Sequence, residues 1–209
     1  MLERIKKLKY SHFGDDIIKG NLNGCEYDLI LMTDECAQDQ VLMGLLANWR
    51  KQHEMWFPAQ FKVTVEGTTK WFQKGVIETP DRLLFVIKVK NKYIGHIGLF
   101  RFDYDKNICE IDNIVRGEPG CPGLIGDAIK NMMEWGQKNL NLGNYSLKVM
   151  SDNAKALNLY DRLGFMEKGR IPLIRIEKED RIEWVEAPAN YTGAIKRYYV
   201  EMLLSLKVK

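Results

Sequence analysis

The chain has 209 residues, 45% of them apolar, with 31 Lys and Arg against 28 Asp and Glu for a formal charge of +3. That length and composition suit one large domain with a substantial core and argue against disorder. The near balance of charge gives no broad electrostatic footprint for nucleic acid, so the cluster Lys6, Lys7 and Lys9 reads as a solvated face. In chain order, MLERIKKLKYSHFGDD is charged throughout and lacks the apolar core of a signal peptide. No stretch approaches the ~20 apolar residues of a membrane span, so no membrane partner is expected and the cytoplasm is the simplest location. Residues 1–25 read as an N-terminal extension closed by the turn-rich GNLNG, and 26–209 as a single domain.

From Glu26, YDLILM has the content of a buried strand, and QVLMGLLANWRKQHEMWF then switches to helical period, with Val41, Leu45, Leu46 and Trp49 on one stripe. VTVEGTTKWFQKG suits a second short helix. LLFVIKVK and YIGHIGLFRFD flank the turn NK as a hairpin, and NICEIDNIV extends it to a three-stranded meander. The Gly- and Pro-rich RGEPGCPG precedes a helix in LIGDAIKNMMEWGQKNL, whose stripe runs through Ile125, Ile129, Met132 and Met133. SLKVM is a short strand, NAKALNLYDRL a helix, and GFMEKGRIPLIRIE a strand entered at Gly164. The segment AIKRYYVEMLLSLK fits both a helix and a buried strand. Its Tyr198, Tyr199 and Met202 suit core packing or a homodimer interface.

The cysteines are Cys25, Cys36, Cys109 and Cys121, with no CxxC pair and no His at ligand spacing. A zinc site or redox motif is therefore not expected, no metal is called for, and all four are expected as free thiols.

The run SDNAKALNLYDRLGF resembles the second signature region of the GNAT N-acetyltransferase superfamily, the matching residues being Asn153, Ala156, Leu159, Tyr160, Gly164 and Phe165. The resemblance implies an α/β fold with a mixed, mostly antiparallel central sheet of about six or seven strands flanked by about four helices, and a splayed parallel pair forming the acetyl-CoA cleft. It also selects a strand for the C-terminal segment. Within the superfamily, DNIVRGEPGCPGLIGDAI and the pair Trp49-Arg50 look most like the bacterial enzymes that acetylate nucleotide-linked amino sugars.

The glycine-rich segment carries its own argument. A pyrophosphate is well held where backbone N–H groups converge at a helix N-terminus. Gly120, Cys121, Gly123, Leu124, Ile125 and Gly126 are the candidate donors, whereas Pro119 and Pro122 cannot donate. The segment departs from the family pattern, with Gly120 where Arg or Gln is usual and Ile125 where a small residue is usual.

The resemblance further implies that the thioester carbonyl accepts a hydrogen bond near Ile114 or Val115, between the splayed strands NICEIDNIV and SLKVM. Asn153 sits where an N-cap belongs and could also reach the pantetheine arm. Tyr160 is the expected general acid toward the departing sulfur; the bland alternative is a core tyrosine. The attacking amine needs a base, and Glu110, then Asp112, alternate onto one strand face near the carbonyl. His96, between Gly95 and Gly98, is a further base or acceptor-binding candidate, against a structural histidine. Trp49 reads as core or as acceptor-binding, and Arg50 suits a diphosphate through its planar fork. The expected activity is direct acetyl transfer to a primary amine of a small molecule. A nucleotide-linked amino sugar is the first acceptor and a protein N-terminal amine the second; polycations are disfavoured by the slightly basic chain. A noncatalytic acyl-CoA-binding module is the alternative from another class.

Overall fold

The computed structural model describes residues 2–206. One sheet organises the molecule, and its ten strands among the described residues exceed the six or seven expected. In chain order the elements are α1 (Leu2–Lys9), β1 (Ile17–Leu22), β2 (Cys25–Leu31), α2 (Gln40–Gln52), β3 (Ala59–Phe61), α3 (Val65–Phe72), β4 (Arg82–Val89), β5 (Lys92–Asp103) and β6 (Ile108–Arg116). There follow α4 (Leu124–Leu140), β7 (Asn144–Met150), α5 (Ala154–Arg162), β8 (Met166–Glu177), β9 (Arg181–Glu186) and β10 (Arg197–Ser205). The strands lie in the order β1-β2-β4-β5-β6-β7-β10-β8-β9-β3. Among the described residues only β6 and β7 pair in parallel, and the crossover that a parallel pair requires is supplied by the long helix α4.

Two cores cover the two faces. One packs α1, α4 and α5 against Leu83, Phe85, Ile97, Leu99, Cys109 and Ile111. The other packs α2 and α3 against Leu84, Val86 and Val115 on the opposite face. Alternation along β4 and β6 splits successive side chains between these layers. The C-terminal segment is strand β10, inserted between β7 and β8, so both its edges are used inside the sheet.

Three strands lay outside the expected set. The 1–25 segment supplies α1 and the edge strand β1, which pairs with β2 across the turn at Asn23 and Gly24. Its Gly20 lies beneath the Tyr27 ring, and a Cβ there would come within 2.1 Å of that ring. Strand β9 is short, charged and partly exposed, and β3 is three residues after Pro58 in the connection from α2 to α3. Together they extend the sheet beyond β8 and tie that connection to its far edge.

The cysteine expectation is corrected at one pair. Cys25 and Cys121 form a disulfide, with Cα atoms 6.5 Å apart and a sequence separation of 96, while Cys36 and Cys109 are buried free thiols. The spacing rules look for neighbours in sequence; this pair is brought together only when the β1–β2 hairpin packs beside the N-terminus of α4. Tyr27 fastens the same junction, donating its hydroxyl to Asp127 Oδ2 at 2.7 Å and accepting from Asn131 Nδ2 at 2.6 Å.

Candidate active site

The parallel pair is short. Ile108, Cys109 and Glu110 face Asn144, Tyr145 and Ser146, and beyond them the two strands part. The cause lies in β6, where the register against β5 jumps from Asp112–Gly98 to Val115–His96, so that Asn113 and Ile114 oppose the single residue Ile97. This is a β-bulge, and Asn113 sits in it at φ 48°, a left-handed conformation that Asn tolerates better than most residues. His96 secures the bulge from the neighbouring strand, its Nδ1 lying 2.7 Å from the Asn113 carbonyl. That contact makes Nδ1 the protonated nitrogen of a neutral imidazole. Burial lowers the His96 pKa to about 4, so the ring is neutral across the physiological range.

A cavity of about 850 Å³ runs through the parting of the strands, from the N-termini of α4 and α5 on one side of the sheet to α2, α3 and the β3 segment on the other. At its first end, Gly123 adopts φ 83° and serves as the N-cap of α4, and Ile125 and Gly126 open the first turn. Gly126 also allows α5 to approach, since a Cβ there would lie 3.2 Å from Leu159 Cδ1. Asn153 caps α5, its Oδ1 accepting from the Ala156 N–H at 3.2 Å. Lys155 and Arg162, on the same helix, also line this end. Orphan helix N–H groups, a dipole end and two cations form a suitable cradle for a diphosphate.

Tyr160 lies further in, only 7% exposed, with its ring edge-on to Phe165. Desolvation alone raises its pKa, so the phenol keeps its proton. On the far side of the sheet stand Glu110 and Asp112. Glu110 is held by Arg101 Nη1 at 2.8 Å. Asp112 is bound by Arg82 and by Asn113 Nδ2 at 2.8 Å, and its Oδ1 is buried over Gly98 without a hydrogen-bond partner. Burial pushes the Asp112 carboxyl up, against the pull of Arg82. The Arg82 guanidinium in turn lies 4.2 Å from the Phe100 ring centroid and donates to the Gly75 carbonyl at 2.9 Å.

The expected residues thus divide. Ile114, Val115, Gly123, Leu124, Ile125, Gly126, Asn153, Tyr160, Glu110, Asp112, His96 and Arg50 all line the one cavity. Gly120, Cys121 and Trp49 do not line it. The Gly120 carbonyl accepts from Arg116 Nη2 at 3.0 Å and its Cα packs toward Ile94, while Cys121 is turned to Cys25. Leu124 lines the cavity, yet its N–H is bonded to the Cys121 carbonyl at 3.1 Å, so it is not a free donor. Trp49 is fully buried and donates Nε1–H to Glu118 Oε1 at 3.0 Å, a core residue rather than an acceptor contact. Sequence reasoning missed Lys155 and Arg162, though the position of Lys155 just after a capping Asn was a readable signal. It also missed Arg82, Arg101 and the aromatic wall of Phe57, Phe61, Trp71 and Phe100, which only tertiary packing assembles.

Among the described residues no group of His, Cys, Asp and Glu could hold a metal ion, and no helix is long and apolar enough to cross a membrane.

The sequence profile of the family described as an acetyltransferase (GNAT) domain matches residues 37–166. A spermidine N(1)-acetyltransferase of Vibrio cholerae is 25% identical over 126 residues, which make up 60% of this chain and 72% of that protein. RimL, a ribosomal L7/L12 alpha-N-protein acetyltransferase, has a fold similar at a TM-score of 0.64 and 13% identity, over 91% of this chain and 94% of the other. FdhC, a nucleotide-linked sugar GNAT, is similar at a TM-score of 0.58 and 14% identity, over 86% of each chain. By name these relatives act on spermidine, on a ribosomal protein and on a nucleotide-linked sugar. The amino-sugar acceptor expected from the sequence is therefore not supported over the others.

Proposed function

The chain belongs to the GNAT family of N-acetyltransferases, which use acetyl-CoA as acyl donor, and we propose that it acetylates the primary amine of a small molecule by direct attack within a ternary complex. The observation that carries this reading is the continuity of one cavity through the parted strands, with Tyr160 on one side of the sheet and Glu110 on the other. Donor and acceptor can then meet in the gap from opposite faces.

In this reading the α4 N-terminus with Ile125 and Gly126, assisted by Lys155 and Arg162, holds the diphosphate of the donor, and Asn153 meets its pantetheine arm. Acetyl-CoA supplies an activated acyl carbon: the amine nitrogen forms a C–N bond to it as the C–S bond breaks. The N–H of Ile114 or Val115, freed from any ladder with β7, donates to the acyl oxygen as negative charge gathers there. Tyr160 gives its proton to the leaving sulfur, and its buried, protonated phenol is suited to that task. Glu110 takes the amine proton, directly or through water. Asp112 is the weaker choice because its carboxylate is committed to Arg82 and Asn113. His96 has Nδ1 committed to the Asn113 carbonyl and serves to hold the bulge.

The acceptor is the finer question. A protein N-terminal amine is favoured by the similarity to RimL, and the nucleotide-linked amino sugar expected from the sequence stands behind it. Release of CoA thiol from acetyl-CoA, measured over a panel of amines, tests the activity. Binding of acetyl-CoA without thiol release on any amine would favour the noncatalytic acyl-CoA-binding module instead. A melting temperature unchanged by acetyl-CoA would overturn both, because a ligand at 100 times its Kd adds about 2.7 kcal/mol.

A further inference from the structure

On the α2 and α3 side of the cavity, each of the three lining carboxylates is met by a basic side chain: Glu110 by Arg101, Asp112 by Arg82, and Glu186 by Lys148 at 3.3 Å. Each of these negative charges already has a cationic neighbour. Arg50 presents the opposite situation. It lines the cavity from the last turn of α2, with its guanidinium 3.9 Å from the Phe57 ring centroid and 5.2 Å from that of Phe61. Its Nη2 donates to the Ala59 carbonyl, but Nη1 is buried with no hydrogen-bond partner. Among the described residues it takes part in no ion pair; only Glu54 pulls against the desolvation, which lowers its pKa to about 10.

A partly buried guanidinium with one desolvated, unpartnered nitrogen and no counter-charge is costly, and a protein relieves it with a carboxylate, a water or a ligand. Fixing Ala59 uses one corner of the planar fork and does not account for the idle Nη1. The aromatic rings of Phe57 and Phe61 present flat walls to the fork and supply no acceptor. Lys62, exposed and likewise without an ion pair among the described residues, stands at the same rim.

We propose that Arg50, with Lys62 at the rim, is an oxyanion subsite, so that the acceptor is a primary amine bearing a phosphate or carboxylate group and not a polyamine. This rests on the acetyltransferase reading and names the substrate class for that same site. It separates the chain from its spermidine-acetylating relatives by charge, because a polycation entering here would meet Arg50 and Lys62 with every carboxylate already engaged.

The test compares initial rates of thiol release for glucosamine, glucosamine 6-phosphate, an amino sugar linked to a nucleoside diphosphate, a peptide with an acidic first residue, and spermidine. Isothermal titration of glucosamine 6-phosphate and spermidine into the CoA-saturated protein runs in parallel. A charge-assisted contact predicts that the phosphorylated amine exceeds its neutral parent in kcat/KM by about tenfold or more. Added salt should narrow that ratio, Arg50→Lys should keep part of it, and Arg50→Met should bring it toward one. The phosphate-bearing and carboxylate-bearing amines then identify the oxyanion. Spermidine matching or surpassing every anionic amine would overturn the proposal, as would a ratio unmoved in Arg50→Met. Should no amine turn over, the transferase reading fails alone if glucosamine 6-phosphate binds in an Arg50-dependent way. The subsite fails with it if there is no such binding. Wild-type salt dependence and titration keep the test decisive if Arg50→Met does not fold.

Discussion

Acidification offers a direct measure of how the bulge is held. His96 is 3% exposed, and its pKa falls from 6.5 to about 4 chiefly through desolvation, with the hydrogen bond to Asn113 opposing. A histidine whose folded pKa is depressed contributes stability that is complete above the unfolded value and is lost as pH falls toward the folded one. The unfolded chain accepts the proton near pH 6.5, whereas the folded chain refuses it until about pH 4. At about 1.4 kcal/mol per pH unit the whole interval is worth about 3 kcal/mol, most of which is gone by pH 4.5. Carboxylates titrate in the same range, so the quantity to measure is the difference from His96→Asn, whose amide nitrogen can replace Nδ1 against the Asn113 carbonyl. Urea unfolding of both proteins at pH 7.5 and 4.5 should show the wild type losing about 2–3 kcal/mol more than the variant. Parallel pH dependences, or a His96 titration near 6.5 followed by NMR, would refute a buried neutral imidazole at this position.

Other outcomes follow from the same structure. Tyr160→Phe should lower kcat by about a hundredfold or more while leaving the thermal shift from acetyl-CoA intact, and unchanged thiol release would remove the phenol from the chemistry. Asp112→Ala leaves Arg82, whose side chain is 14% exposed, as an unpaired and mostly buried cation. A loss of about 3–5 kcal/mol in urea unfolding is expected. Cys25→Ser opens a bridge spanning 96 residues, which the chain-entropy account values at about 4.7 kcal/mol. The urea midpoint of the wild type with reductant should fall toward that of the variant, and a reductant-insensitive wild type would argue against the pairing.

Much of this fold can be read from the sequence where one period dominates. The stripe Ile125, Ile129, Met132 and Met133 gives α4, because it buries one apolar face, and the continuous apolar run LLFVIKVK gives β4, because that strand is buried on both faces. The strands that escape are those with little apolar signal to read. In β9, RIEWVE carries charge at both ends and stays partly exposed; β1 holds a glycine whose missing side chain is supplied by Tyr27 from the next strand. The site divides in the same way. Tyr160 and Asn153 were legible because a local motif fixes them relative to α5. The link between Cys25 and Cys121, and the pairing of Arg82 with Asp112, depend on strand order, which no local pattern encodes. Trp49, read as core or acceptor contact, is core, and sequence could not decide it because a tryptophan beside a cleft and a tryptophan beneath one look identical there.

The opening in the sheet is at root a change of parity. Along β6, Cys109 and Ile111 join the core under α4 and α5, so Glu110 and Asp112 point to the α2 and α3 face. Strict alternation would send Ile114 to the face of Asp112 and Val115 to the α4 face. Instead Val115 belongs to the core under α2 and α3, and Ile114 packs against the other core. The extra residue of the bulge at Asn113 has exchanged the faces. Without that exchange Arg116 would share the face of Glu110 and Asp112, and the apolar contact of Val115 with the α2 layer would be lost. With it, the carboxylates stay on the acceptor side and the backbone at Ile114 and Val115 leaves the ladder with β7. A single residue at positive φ, held by a neutral histidine, therefore both opens the gap and decides which side chains look into it.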